Sequence, residues 1–184
     1  MKGGDVPSGF EGVYRRVVLL IHANQTREEI MRKVITAMCI GIIVLGLVSP
    51  AWAAKATKEE CITKCQEAAQ LIKENGIDEG VKVIGDKKGP FVWKDTYVFL
   101  MNMDGEMLAH PIKPQLTKKG PLVESPDAAG RFFFAEFIKV ADNPGTGWVD
   151  YMWPKPGMDK PAPKSSYICR VPGTPYFVGA GIYK

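Results

Sequence analysis

Tyr97-Val98-Phe99-Leu100-Met101-Asn102-Met103-Asp104-Gly105-Glu106-Met107-Leu108-Ala109-His110-Pro111 is the stretch that decides the fold. Aromatic and β-branched residues from Thr96 to Asn102 predict a strand. Asp104-Gly105 is a strong short hairpin signal, because both residues tolerate the left-handed turn conformations that match strand twist. Glu106 to His110 then predicts the returning strand. Pro111 and Pro114 end it, since proline brings no N–H to a ladder. Lys113 to Glu124 reads as loop.

Downstream, Ser125-Pro126-Asp127 carries a helix-start pattern: an N-cap, a proline suited to the first position and an acid suited to the dipole. Phe133, Phe134, Phe137, Ile138 and Ala141 supply an apolar face, and Asn143-Pro144-Gly145 stops the helix. Three strand-like runs follow, Gly147 to Trp153, Lys164 to Val171 and Tyr176 to Tyr183. Their connections are rich in proline and glycine. Upstream, Lys58 to Ile84 predicts a helix in two pieces, capped by Thr57, broken at Asn75-Gly76 and buried through Ile62, Cys65, Ala68, Ala69 and Ile72. The order helix, hairpin, helix, three-strand meander is an α+β pattern. It fits a PAS-like five-stranded antiparallel sheet with an N-terminal helix and a second helix packed on it.

The chain begins less simply. Met31-Arg32-Lys33, an uncharged run from Val34 to Val48 and Ala51-Trp52-Ala53 have the three parts of a secretory signal peptide. Fifteen uncharged residues fall short of the ~20 that a spanning helix needs. Residues 31–53 are therefore expected to be a signal peptide cleaved after Ala53, with an uncleaved anchor as the alternative. Residues 1–30 precede a feature that normally opens a protein. We expect translation to start at Met31 and residues 1–30 to be a mis-assigned extension; a peptide from within them in the unprocessed product would exclude this.

Residues 54–184 are then one domain, with 18 Lys and Arg against 16 Asp and Glu. That balance lacks the basic stripe of a nucleic-acid binder. Cys61, Cys65 and Cys169 remain, an odd number in a compartment that permits disulfides. A Cys61–Cys65 bridge is possible only at a frayed helix end, because i,i+4 Cβ atoms stand ~6 Å apart and a disulfide wants ~3.8 Å. Free or otherwise paired thiols are the alternative. With His110 the only histidine in this segment and no Cys-x-x-Cys-His motif, neither a metal site nor haem attachment is expected, and no cofactor is implied. One histidine without a nucleophile elbow makes no triad, so no enzyme is expected.

The hairpin quoted above resembles the first hairpin of the single Cache domain family, of the sCache_2 type. Gly147-Trp148-Val149-Asp150-Tyr151-Met152-Trp153-Pro154 with Lys164-Ser165-Ser166-Tyr167 resembles that family's later strands, and Val178-Gly179-Ala180-Gly181-Ile182-Tyr183 its closing strand. The resemblance spans residues 57–184. It implies an extracytoplasmic sensor fold that binds a small molecule, often a short carboxylic acid. Family members usually sit between two membrane helices of a chemoreceptor or histidine kinase. This chain ends at Lys184 without a signalling domain, so the expectation is a free-standing periplasmic member, with a membrane receptor or histidine kinase as the partner class left open.

A carboxylate in a partly apolar pocket needs a few donors or cations and aromatic walls. The candidate ligand-binding residues are His110, Tyr151, Trp153, Lys164, Tyr167, Phe134 and Arg131. Tyr151 and Trp153 share a strand face by two-residue periodicity. Tyr167 lies opposite Lys164 in a regular strand, so a role for both requires a bulge. Each candidate has a plainer reading: strand cap for His110, core for the aromatics, solvated surface for Lys164 and Arg131. The alternative function is an extracytoplasmic thiol-redox or structural interaction protein that docks on a membrane partner through Cys61, Cys65 and an aromatic surface.

Overall fold

The computed structural model describes residues 54–184, with Met31 alone before them; the signal-peptide and extension assignments therefore lie outside the described residues. Residues 54–184 lie within one compact unit. None of its described helices is long and apolar enough to cross a membrane.

Helix α1 (Lys58–Asn75) opens with a capping box. The Thr57 hydroxyl accepts from Glu60 N–H at 3.2 Å, and the Glu60 carboxylate accepts from Thr57 N–H at 3.0 Å. Two of the four orphan donors of the first turn are thus satisfied by local residues. Glu60 also accepts from the Trp93 indole and pairs with Lys94. Ala56 N–H donates to Asp95 at 2.8 Å, so the helix start is fixed to the Lys94-Asp95 turn within the sheet. Gly76, at φ +84°, ends α1 and separates it from α2 (Ile77–Gly85).

The sheet contains β1 (Val92–Trp93), β2 (Thr96–Asn102), β3 (Met107–Ala109), β4 (Thr146–Pro154), β5 (Pro161–Arg170) and β6 (Tyr176–Tyr183). Its order is β1-β2-β6-β5-β4, with β3 beside β2, and every pairing is antiparallel. The sixth strand, absent from the sequence reading, is the two-residue β1. The predicted hairpin forms: Asn102 and Glu106 bond each other through backbone and side chains, and Gly105 takes φ +87°, where a Cβ would be strained. The predicted loop after β3 holds a short 3-10 helix, Pro114–Lys118, which buries Leu116.

Helix α3 covers only Phe133–Asp142. The helix start expected at Ser125 is corrected, because Asp127 caps a loop instead. Its carboxylate accepts from Ala129 N–H and Arg131 N–H at 2.8 and 2.9 Å, and from Met152 N–H of β4 at 2.7 Å. The same local signal is spent on a turn stapled to an edge strand.

The sheet separates two cores. One face packs Val98, Leu100, Val178 and Ala180 against Cys65, Ala68 and Ile72 of α1 and Ile84 of α2. The other packs Tyr97, Phe99, Met101, Tyr151, Ile168 and Phe177 against Phe133, Phe134 and Phe137 of α3. Alternation along β2 puts Tyr97 and Phe99 on one side and Val98 and Leu100 on the other.

Candidate functional site

Tyr97, Phe99, Met107, His110, Phe133, Phe134, Phe137, Tyr151 and Trp153 enclose a cavity of about 10 Å³ on the α3 side of the sheet. That is room for about one water. The walls are aromatic contacts: Phe133 stacks on Tyr151 at 4.4 Å and meets Phe134 at 4.0 Å, and Trp153 stands edge-on to Phe133 at 5.7 Å. Two buried polar links hold the rings. The Trp153 indole donates to the Tyr97 hydroxyl at 2.9 Å, and the Tyr151 hydroxyl shares a 2.9 Å hydrogen bond with Ser166 Oγ.

His110 follows β3 and is 3% exposed. Its Nδ1 accepts from the backbone N–H groups of Ile112 and Lys113, at 3.3 and 3.0 Å. An acceptor Nδ1 puts the remaining proton on Nε2, which leaves a neutral ring with one N–H donor. Burial, then the charges of Lys164 and Lys113, push its pKa down to about 3. The ring lies 4.7 Å from Tyr97 and 6.2 Å from Trp153.

Lys164 is the other unusual group. It is 1% exposed, and its Nζ is buried with no hydrogen-bond partner among the described residues. Cross-strand pairing places it between Tyr151 of β4 and Tyr183 of β6. Its Nζ lies 4.2 Å from the Tyr97 ring centre and 4.9 Å from that of Tyr183. Burial lowers its pKa to about 7, against the opposing pull of Cys61 and Asp95. Two aromatic faces give an ammonium partial compensation, but they accept none of its three N–H bonds.

The sequence candidates divide as follows. His110, Tyr151, Trp153 and Phe134 line the cavity together, and Lys164 shares the Tyr97 ring with His110. Tyr167 is on the opposite face, against Trp148 and the α1 core. The bulge that would bring it round is absent: β5 keeps unbroken register with both neighbours from Lys164 to Cys169. Arg131 pairs with Glu136 at 2.7 Å on the surface, in a separate open cleft of about 210 Å³ that also reaches Asp127, Asp150, Lys164 and Lys184. The Cys61–Cys65 bridge is not formed; both thiols and Cys169 are free and buried within the α1 core. Position in the well-formed helix α1 explains it, since helical i,i+4 spacing exceeds disulfide reach. Sequence reasoning missed Tyr97, Phe99, Met107, Phe133 and Phe137 as cavity walls. The signal available was the two-residue alternation Tyr97-x-Phe99.

No three metal-ligating side chains cluster among the described residues. A family model for the Cache domain matches residues 88–184, more than half the chain. The chain belongs to the Cache domain family. The matching model is of the dCache_2 type, so the sCache_2 subtype suggested by the sequence is not the one matched. A methyl-accepting chemotaxis protein of Pseudomonas putida, McpP, is 32% identical over 90 residues, which is 48% of this chain and 16% of that protein. This Cache domain thus spans a small part of that receptor's length.

Solved structures agree on the fold. One, described as the structural basis for carboxylic acid recognition by a Cache chemosensory domain, superposes with a TM-score of 0.58 at 25% identity, covering 68% of this chain and 91% of that one. A methyl-accepting chemotaxis protein from Vibrio parahaemolyticus gives 0.58 at 26% identity, covering 68% and 87%. A periplasmic sensor domain of a chemotaxis protein gives 0.54 at 27%, covering 68% and 88%. Cache sensor domains bind small ligands and are not catalysts, in agreement with the expectation of no enzyme.

Proposed function

We propose that this Cache domain is a periplasmic sensor for a short-chain carboxylic acid, with the acid's alkyl end among Phe133, Phe134 and Trp153 and its carboxylate beside His110 and Lys164. The observation that carries this reading is the pairing of a neutral buried histidine, its Nδ1 already occupied, with a buried lysine amine that has no acceptor. An anion of small size supplies what both groups lack. Carboxylic acid recognition by a structurally similar Cache domain supports the choice of ligand class.

Size sets a condition. A cavity of about 10 Å³ holds a single water, so an acid enters only as Phe133, Phe134 or Trp153 turns aside. Each displaced aromatic pair forfeits about 0.5–1.5 kcal/mol. Each of these rings takes part in three or four such pairs. A six-heavy-atom acid has a ceiling of about −9 kcal/mol at ~1.5 kcal/mol per atom, so the cost leaves roughly −7.5 to −3 kcal/mol, micromolar binding at best. Export through residues 31–53 and a membrane receptor or kinase as partner complete the proposal.

A thermal-shift screen of acetate, propionate, lactate and pyruvate on residues 54–184 tests it. An acid at about 100 times its dissociation constant stabilises the fold by ~2.7 kcal/mol. The reading fails if none of the four moves the melting temperature.

A further inference from the structure

The Lys164 amine is buried among groups from several elements, and the residue also borders the open cleft that holds Asp127, Arg131, Asp150 and Lys184. Tyr97 of β2 and Tyr183 of β6 face it with their rings, and Tyr151 of β4 is its cross-strand neighbour. His110 after β3 feels its charge and that of Lys113, while Asp95 and Cys61 of α1 act on it electrostatically. None of these gives Nζ a hydrogen bond, and Lys164 enters no ion pair among the described residues. Asp95 uses one of its oxygens on Ala56 N–H. His110 has its Nδ1 on two backbone N–H groups, and the tyrosines offer faces rather than carboxylates.

An ammonium here has three donors and only π faces to meet them, so burial favours the neutral amine. A carboxylate arriving within about 4 Å reverses that preference, because opposite charge in a desolvated site favours the charged form. The two events are linked by necessity: whatever anion binds better to the ammonium also draws a proton onto the amine.

We propose that carboxylate binding at this site is coupled to proton uptake by Lys164, so that the domain reads the acid's concentration and the surrounding acidity together. This rests on the site being a carboxylate site. The step is a simple protonation: the buffer gives a proton to the Nζ lone pair, and the resulting ammonium pairs with the acid, itself already ionised. His110 remains neutral throughout. The amine titrates near 7 without the acid. Uptake therefore vanishes well below pH 7, where the proton is already present. Above pH 7 it approaches one proton per acid, and affinity falls by up to about tenfold per pH unit.

Isothermal titration of residues 54–184 with propionate and with acetate, at about pH 8 in phosphate and in Tris, reads the uptake from the difference in heat between buffers of unequal ionisation enthalpy. The expected result is close to one proton per acid, falling toward zero at about pH 6. In K164R, whose guanidinium stays charged throughout this range, whatever acid binding remains loses its buffer dependence and its affinity becomes flat with pH. In ¹³C-lysine-labelled wild-type protein, one lysine resonance titrates near neutrality and moves to higher pH on adding propionate, a readout that needs no variant. Binding of either acid with buffer-independent heat, or a buffer dependence that survives in K164R, overturns the proposal and leaves the carboxylate site standing. Absence of binding at every pH overturns the site itself.

Discussion

Lys164 Nζ lies 4.2 Å from the centre of the Tyr97 ring, while the Tyr97 hydroxyl accepts the Trp153 indole N–H at 2.9 Å. One side chain thus carries a buried amine on its face and a cavity wall on its edge. Y97F keeps the ring and strands the indole donor, which costs about 1–3 kcal/mol. Y97L also removes the aromatic mass and is expected to lose roughly 3–5 kcal/mol, as large core truncations do. Urea denaturation measures both. A Y97F loss as large as that of Y97L would mean that the hydroxyl, not the ring, holds the site.

His110 makes the fold acid-sensitive. Its native pKa is about 3, against roughly 6.5 in an unfolded chain. Between those values the unfolded state binds more protons, so stability falls as pH drops from about 6.5 toward 3 and is undiminished above 6.5. The slope from this one group is at most about 1.4 kcal/mol per pH unit. In H110Q, unfolding free energies measured across that window should show a flatter decline; an unchanged slope would assign the acid sensitivity elsewhere.

Gly179 of β6 lies under the Phe99 ring, and a Cβ there would collide with three ring carbons. G179A must push Phe99 toward the cavity and is expected to cost about 1–3 kcal/mol in overpacking, together with a loss of acid binding. Gly181 meets the Ser166 side chain and the Ser165 carbonyl, which yield less than a ring can. G181A should therefore destabilise more than G179A in parallel melts; the reverse order would contradict the packing.

Asp127 ties the loop before α3 to edge strand β4 through Met152 N–H. D127A removes three acceptor contacts, two of them within the loop. A loss of about 1–2 kcal/mol is expected, with limited proteolysis moving to residues 123–132. An unchanged cleavage pattern would show that the staple is dispensable.

The thiol reading makes its own forecast. Burial pushes Cys61 up to about 12 and Cys65 well above its ordinary value, and buried thiols of that kind are unreactive. Native protein should leave all three described thiols unlabelled by a thiol reagent, with three reacting in denaturant. Fast labelling of Cys61 or Cys65 in native protein would revive a redox role.

Local signals carried much of this far. Thr57 with Glu60, Asn75-Gly76 and Asp104-Gly105 act within a few residues of themselves, so their reading as cap, break and hairpin agrees with the structure. Ser125-Pro126-Asp127 misled because Asp127's third partner, Met152, is 25 residues away. Tyr97 was overlooked because β2 is buried on both faces, and a strand of that kind shows no polar alternation to mark which side holds a cavity. Lys164 was visible only through the family resemblance: an isolated lysine in a strand normally reads as solvated.

The two cores described above share one partition. Phe99 presses on Gly179 on the cavity side, while the adjacent Val98 and Ala180 touch the core under α1. No second layer of side chains lies between them, so the sheet works as a diaphragm one backbone thick. A shift of the Phe99 ring against Gly179 is felt on a strand whose far side already bears on helix α1.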